Sequence, residues 1–114
     1  MSRFPAILFG GILACTAVTI GLSGFSTPAH ADFLKRKVLL DSCLSAKNER
    51  DCTGYIAGIA DAASDAKQVC IPAEAHLPQV KARVLDWLKA HKENPTEAAA
   101  PWVKQALTES FPCK

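Results

Sequence analysis

Apolar residues recur at three- and four-residue steps in four stretches of this chain, each closed by a polar run, a proline or a loop signal. The first covers residues 33–46, FLKRKVLLDSCLSA, where Phe33, Leu40, Cys43 and Leu44 fall along one side of a helix with Val38 and Leu39 beside them. The polar run Lys47-Asn48-Glu49-Arg50-Asp51 interrupts it. A second helix runs from Asp51 to about Gln68, with Cys52, Ile56, Ile59, Ala63 and Ala66 on one face, and Pro72 and the AEAH segment end the pattern. Pro78 suits the first turn of a third helix, in which Leu77, Val80, Val84, Trp87, Leu88 and His91 make the sharpest amphipathic stripe of the chain. Asn94-Pro95-Thr96 reads as a loop that offers a cap to a last helix over about 98–110, which presents Trp102, Val103, Ala106 and Leu107. Pro101 must lie in that helix's first turn or kink it. No segment alternates with the period of a strand, and no internal repeat is present, so the fold class is all-α: a small four-helix domain.

The second helix contains an anomaly. CTGYIAGIAD places Gly54 and Gly58 four residues apart, and each glycine costs an exposed helix interior about 1 kcal/mol relative to alanine. At 100° per residue both fall opposite the apolar face, together with Asp61 and Asp65, while Tyr55 and Ala62 lie at its edge. A bare strip of this kind serves either close packing within the chain, where two helices cross or the chain's own termini return, or the approach of a partner protein or a second copy. Asp61 and Asp65 read as a solvated face rather than an acid–base pair, since no histidine or metal ligand accompanies them in sequence.

The beginning of the chain has a different character. MSRF carries one positive charge, PAILFGGILACTAVTIGLSGF is apolar, and Ala29-His30-Ala31 has the small residues of a signal-peptidase site. Residues 1–31 are therefore expected to be a cleaved secretory signal, with 32–114 as the mature domain in the periplasm and no membrane association after cleavage. Ile12-Leu13-Ala14-Cys15 is a poor lipoprotein signal, because Leu13 is bulky and the chain stays apolar beyond Cys15. Lys+Arg number 13 against 11 Asp+Glu, and removal of Arg3 leaves 12 against 11. So even a balance gives no electrostatic case for nucleic acid.

A domain of this size buries only about 60–65% of its unfolded surface and needs covalent ties. Cys43, Cys52, Cys70 and Cys113 supply an even set in an exported chain, with no C-x-x-C spacing to favour a metal. Cys43 ends the first helix and Cys52 begins the second across one tight loop. Cys70 follows the second helix, and Cys113 follows the fourth as it returns to the same end of an antiparallel bundle. The pairing expected is Cys43 with Cys52 and Cys70 with Cys113, for which loop entropy gives about 3 and about 4 kcal/mol.

Four segments together carry a family resemblance: CTGYIAGIADA, CIPA at 70–73, a helix ending DWLKAH at 86–91, and VKQALTESFPC at 103–113. From about Leu39 to Cys113 the chain resembles the Rap/Tai family of immunity proteins from type VI secretion systems. The resemblance implies a periplasmic protein that binds and inhibits a secreted peptidoglycan amidase effector by occluding its active-site cleft, and that forms a homodimer. Position by position it carries over to Cys52, Gly54, Tyr55, Gly58 and Asp61, to Cys70 and Pro72, to His91, and to Phe111, Pro112 and Cys113, nearly all as scaffold. Gly54, Gly58, Asp61 and Asp65 form the candidate partner surface. The chain departs from the pattern at His76-Leu77-Pro78, Lys92 and Pro101, which bears on the particular effector more than on the fold.

Other chemistry finds little footing. Nothing resembles a nucleophile elbow, and with every mature cysteine assigned to a disulfide the chain is read as a non-enzyme. His76 and His91 stand apart with no ligand cluster, so no metal and no cofactor is expected. His91 is read as a helix-terminal cap, and Trp87 and Trp102 as core. A rival class is a small periplasmic acid-stress chaperone of the HdeA type, which loses tertiary packing at low pH while keeping its disulfides.

Overall fold

The computed structural model describes residues 33–114; the expected signal segment 1–31, with Cys15 and the cleavage position after Ala31, lies outside the described residues. Four α-helices form the domain: α1 Arg36–Leu44, α2 Glu49–Asp65, α3 Leu77–Ala90 and α4 Ala99–Ser110. A 3₁₀ turn at Ala46–Asn48 joins α1 to α2, and no strand occurs among the described residues. The all-α class stands. No helix among the described residues is long and apolar enough to cross a membrane.

The helix ends differ from the sequence expectation for identifiable reasons. The backbone before α1 is extended rather than helical, because it pairs with the segment before α4: Lys35 bridges Ala98, Arg36 N–H donates to Glu97 O at 2.9 Å, and Ala99 N–H donates to Leu34 O at 2.8 Å. Phe33 therefore precedes the helix and is 95% exposed; Leu40 is buried as expected, and Leu39, read as flanking, turns inward while Leu44 stays exposed. The same pairing replaces the cap expected from the Asn94-Pro95-Thr96 loop, since the N-cap of α4 is Ala98 and its side chain makes no capping bond. At α2 the polar run does not hold the helix back: Glu49 and Asp51 sit in its first turn, where carboxylates interact favourably with the helix dipole. Pro78 and Pro101 both fall in first turns, where no intrahelical donor is lost. The Gln79 side chain reaches back to accept the His76 N–H at 2.9 Å.

α2 stops at Asp65, short of Gln68, because Lys67 adopts φ 57°. Lys67 N–H then donates to Ser64 O at 3.0 Å and Gln68 N–H to Ala63 O at 2.9 Å, which is the Schellman closure of a helix. A left-handed backbone costs a residue with a Cβ about 1–2 kcal/mol, and glycine avoids it. Lys67→Gly is accordingly expected to stabilise the domain by about 1 kcal/mol, read as a higher urea midpoint with an unchanged slope.

The core gathers one face of every helix: Leu39 and Leu40 from α1, Cys52, Ile56, Ala60 and Ala63 from α2, Val80, Val84 and Leu88 from α3, and Ala99, Trp102, Val103, Ala106 and Leu107 from α4, with Val69 beneath. Ala60 takes the inward place in α2 that the pattern gave to Ile59, which is only partly buried, and Ala66 lies exposed past the helix end. Both expected disulfides are present, Cys43–Cys52 with Cα atoms 5.0 Å apart and Cys70–Cys113 at 4.9 Å. The second is reinforced by Cys70 N–H donating to Phe111 O at 2.9 Å, so the ends of α2 and α4 meet. A strict up-and-down bundle would put the start of α1 beside the end of α4. Here it lies beside the start of α4, and α1 spans from there to the start of α2.

Candidate partner-binding surface

The outward face of α2 is open. Gly54 and Gly58 are exposed, and among the described residues a Cβ built on either would meet no atom within 4 Å beyond its chain neighbours and the backbone of its own helix. Close packing among the described residues therefore does not account for them, and the strip is not the crossing point of two of the described helices. Asp61 and Asp65 are exposed on the same side, as expected of a solvated face.

Two shallow grooves border the strip where α2 meets α3. One, of about 380 Å³, is lined by Glu49, Thr53, Leu77, Pro78, Lys81, Ala82 and Leu85. The other, of about 240 Å³, is lined by Ala57, Ala60, Asp61, Ile71, Ala75, Leu77 and Val80. They share Leu77, which is 41% exposed. The surface is thus a bare, acidic helix face beside an apolar seam, able to accept a protruding backbone or side chain and offering no enclosed cavity. Among the described residues no three His, Cys, Asp or Glu side chains gather as a metal site would require.

The remaining motif residues build the frame around this face. Tyr55 is partly buried against the core on the flank of α2. Pro72 is exposed, and its carbonyl accepts the Ala75 N–H at 2.9 Å in the turn that leads into α3. Phe111 is the C-cap of α4, partly buried, and its carbonyl holds Cys70; Pro112 and Cys113 are exposed beside it. The structure thus separates Gly54, Gly58, Asp61 and Asp65, which share one face, from His91, Phe111 and Pro112, which do not belong to it.

His91 is the C-cap of α3. Its Nδ1–H donates to Trp87 O at 2.8 Å, and its ring stacks on Trp87 with centroids 3.8 Å apart and planes 12° from parallel. Trp102 is fully buried, whereas Trp87 is only partly so and spends its polar end on Glu109: Nε1–H donates to Oε2 at 2.5 Å. Gln105 donates to the other oxygen of the same carboxylate at 3.0 Å. Periodicity alone does not reveal Glu109 and Gln105; the available signal was that a tryptophan at the edge of a stripe needs an acceptor.

Those bonds lower the Glu109 pKa below its ordinary value of 4.5, the Trp87 indole contributing most and the Gln105 amide next; desolvation works against them, and the charge interaction with His91 adds least. A carboxyl whose folded pKa lies below its unfolded value stabilises the fold above the unfolded pKa, and that contribution is lost as pH falls through the folded pKa. The melting-temperature gap between the wild type and Glu109→Ala is expected to be constant from pH 7 to pH 5 and to close below about pH 4. A gap that already closes between pH 7 and pH 6 would contradict the assignment.

Set against known proteins, the family model for Rap1a immunity proteins matches residues 35–113. No curated protein and no solved structure gives a match. The matched span runs from the extended residue that pairs with the start of α4 to the cysteine that closes the larger ring, so it takes in all four helices and both disulfides. The chain belongs to the Rap1a immunity protein family, and by that membership is an immunity protein against a secreted effector.

Proposed function

We propose that the mature domain acts in the periplasm, where it binds a peptidoglycan amidase delivered by a type VI secretion system and inhibits it by covering the substrate cleft. Family membership supports the effector-binding role. The observation that carries the choice of surface is the open glycine strip on α2, which costs helix stability and receives no packing from the described residues in return. Such a protein needs no chemistry of its own. A cleft enzyme is silenced when a rigid surface excludes its substrate, and rigidity before contact spares the complex the entropy of ordering.

The test begins with the mature domain as bait in the producing strain. Recovery of a secreted amidase, followed by loss of its peptidoglycan hydrolysis at equimolar addition, is the expected result; hydrolysis that persists at tenfold excess rejects the proposal. The glycines give a second, separable readout. Gly54→Ala and Gly58→Ala should each stabilise the free domain by about 0.5–1 kcal/mol, since the new methyl meets nothing. Gly58→Arg should leave the fold intact and weaken inhibition, which a titration of amidase activity would measure.

A further inference from the structure

We infer that a second surface, the groove between α1 and the 92–95 loop, docks a segment of the effector in which a bulky apolar side chain stands next to a carboxylate; this rests on the effector-binding reading above. The groove encloses about 350 Å³. Leu40, Leu44 and Pro95 form its apolar walls and Trp102 contributes to its floor. Leu44 is 59% exposed, although it ends a helix whose other leucines are buried, so the groove keeps an apolar lip in water.

Charge decides the chemistry of the occupant. Three of the four charged residues lining the groove are cations: Arg36, Lys37 and Lys92, against Asp41. Lys37 is neutralised by Asp41 at 2.6 Å, and Arg36 by Glu97 at 3.0 Å. Lys92 forms no ion pair among the described residues, which leaves the uncompensated charge positive. Nε1–H of Trp102 and Nε–H of Arg36 are also buried with no acceptor among the described residues. The groove that contains Thr53 and Leu77 offers no such bias, because its two charges, Glu49 and Lys81, pair with each other at 3.2 Å.

The site is also held in shape before anything binds. Lys37 N–H donates to Pro95 O at 3.1 Å, and Arg36 donates from its backbone to Glu97 O at 2.9 Å and from Nη1 to Glu93 O at 3.2 Å. These bonds lace the loop to the start of α1. An incoming segment meets a formed groove and does not have to order one.

The experiment uses the ¹⁵N-labelled mature domain and two synthetic probes, acetyl-Glu-Leu-Phe-Glu-amide and acetyl-Lys-Leu-Phe-Lys-amide. At millimolar concentration the acidic probe should shift the Trp102 indole N–H and the amides of Leu44 and Lys92, the basic probe should shift them at least tenfold less, and Lys92→Glu should reverse the preference. Equal shifts with both probes, or shifts confined to other surfaces, overturn the inference. A second arm uses the amidase recovered as described above. The Leu44→Asp, Lys92→Glu double variant alters only exposed positions and should weaken amidase binding at least 100-fold with an unchanged far-ultraviolet circular dichroism spectrum. If the double variant binds as tightly as the wild type, the groove is not the site and the immunity function stands. If the wild type binds no amidase, the functional reading fails, and the two probes still decide whether the groove takes acidic apolar segments.

Discussion

Serine at both Cys70 and Cys113 is expected to lower the unfolding free energy by about 4 kcal/mol, the largest single loss available to this domain through its covalent ties. The bond spans 43 residues and encloses α3 and α4, so breaking it releases a long loop in the unfolded chain. It also frees the junction where Cys70 is hydrogen-bonded to Phe111, and with it the shared end of α2 and α4. A domain of about 80 residues has roughly 4–12 kcal/mol of total stability, so this loss consumes a third or more of it. The Cys43–Cys52 ring spans only 9 residues and is worth about 3 kcal/mol by the same model. Cys52 is fully buried, however, so serine there also places a hydroxyl in the core. Urea unfolding followed by circular dichroism gives both numbers. A loss below about 1 kcal/mol for the larger ring would mean that the unfolded chain stays compact without it.

Trp102→Ala is expected to cost about 3–5 kcal/mol, the range for deleting a large buried aromatic. Trp102 is 2% exposed and sits where three elements meet. Trp87 of α3 packs edge-on against it at 6.5 Å with ring planes 66° apart, and the Arg36 guanidinium lies over its ring at 5.5 Å. Removing the indole opens a cavity and takes away the surface on which Arg36 rests. Arg36 in turn holds the 93–97 loop. The loss should therefore appear twice, as a lower melting temperature and as faster hydrogen exchange at the amides of 36, 37, 97 and 99. Trp102→Phe retains most of the volume and should cost less than half as much. If the alanine variant melts as the wild type does, Trp102 is not the keystone assigned to it here.

Much of the fold is legible in the residues because it follows from local rules. Val80, Val84 and Leu88 of the third stripe and Trp102, Val103, Ala106 and Leu107 of the fourth come out buried, while Trp87 and His91 at the stripe's edge are only partly so and Leu77 is exposed, and prolines 78 and 101 announce first turns. The cysteine pairing is also legible, although the strictly alternating order assumed for it does not hold for α1. The conclusion survives because Cys43 and Cys52 are joined by one short connection, and Cys70 and Cys113 both follow helices whose ends meet. What periodicity misses is non-local. The extended pairing of Lys35 with Ala98 moves the start of α1 and exposes Phe33, and no pattern within residues 33–46 contains that information. Lys67 ends α2 through a left-handed backbone that composition does not signal. The glycine strip was visible as a strip, but only the absence of any neighbour within 4 Å separates a bare surface from a tight crossing.

The bridge between Lys35 and Ala98 also fixes when the molecule can take shape. Residues 34–37 find their backbone partners only at 95–99, and Cys70 finds its own only at position 113. No shorter length of chain can complete these contacts, so the extended pairing and the larger ring are both closed only after residue 113 has been made. A chain built this way cannot close its fold from either half alone, because each half holds only one side of these pairings.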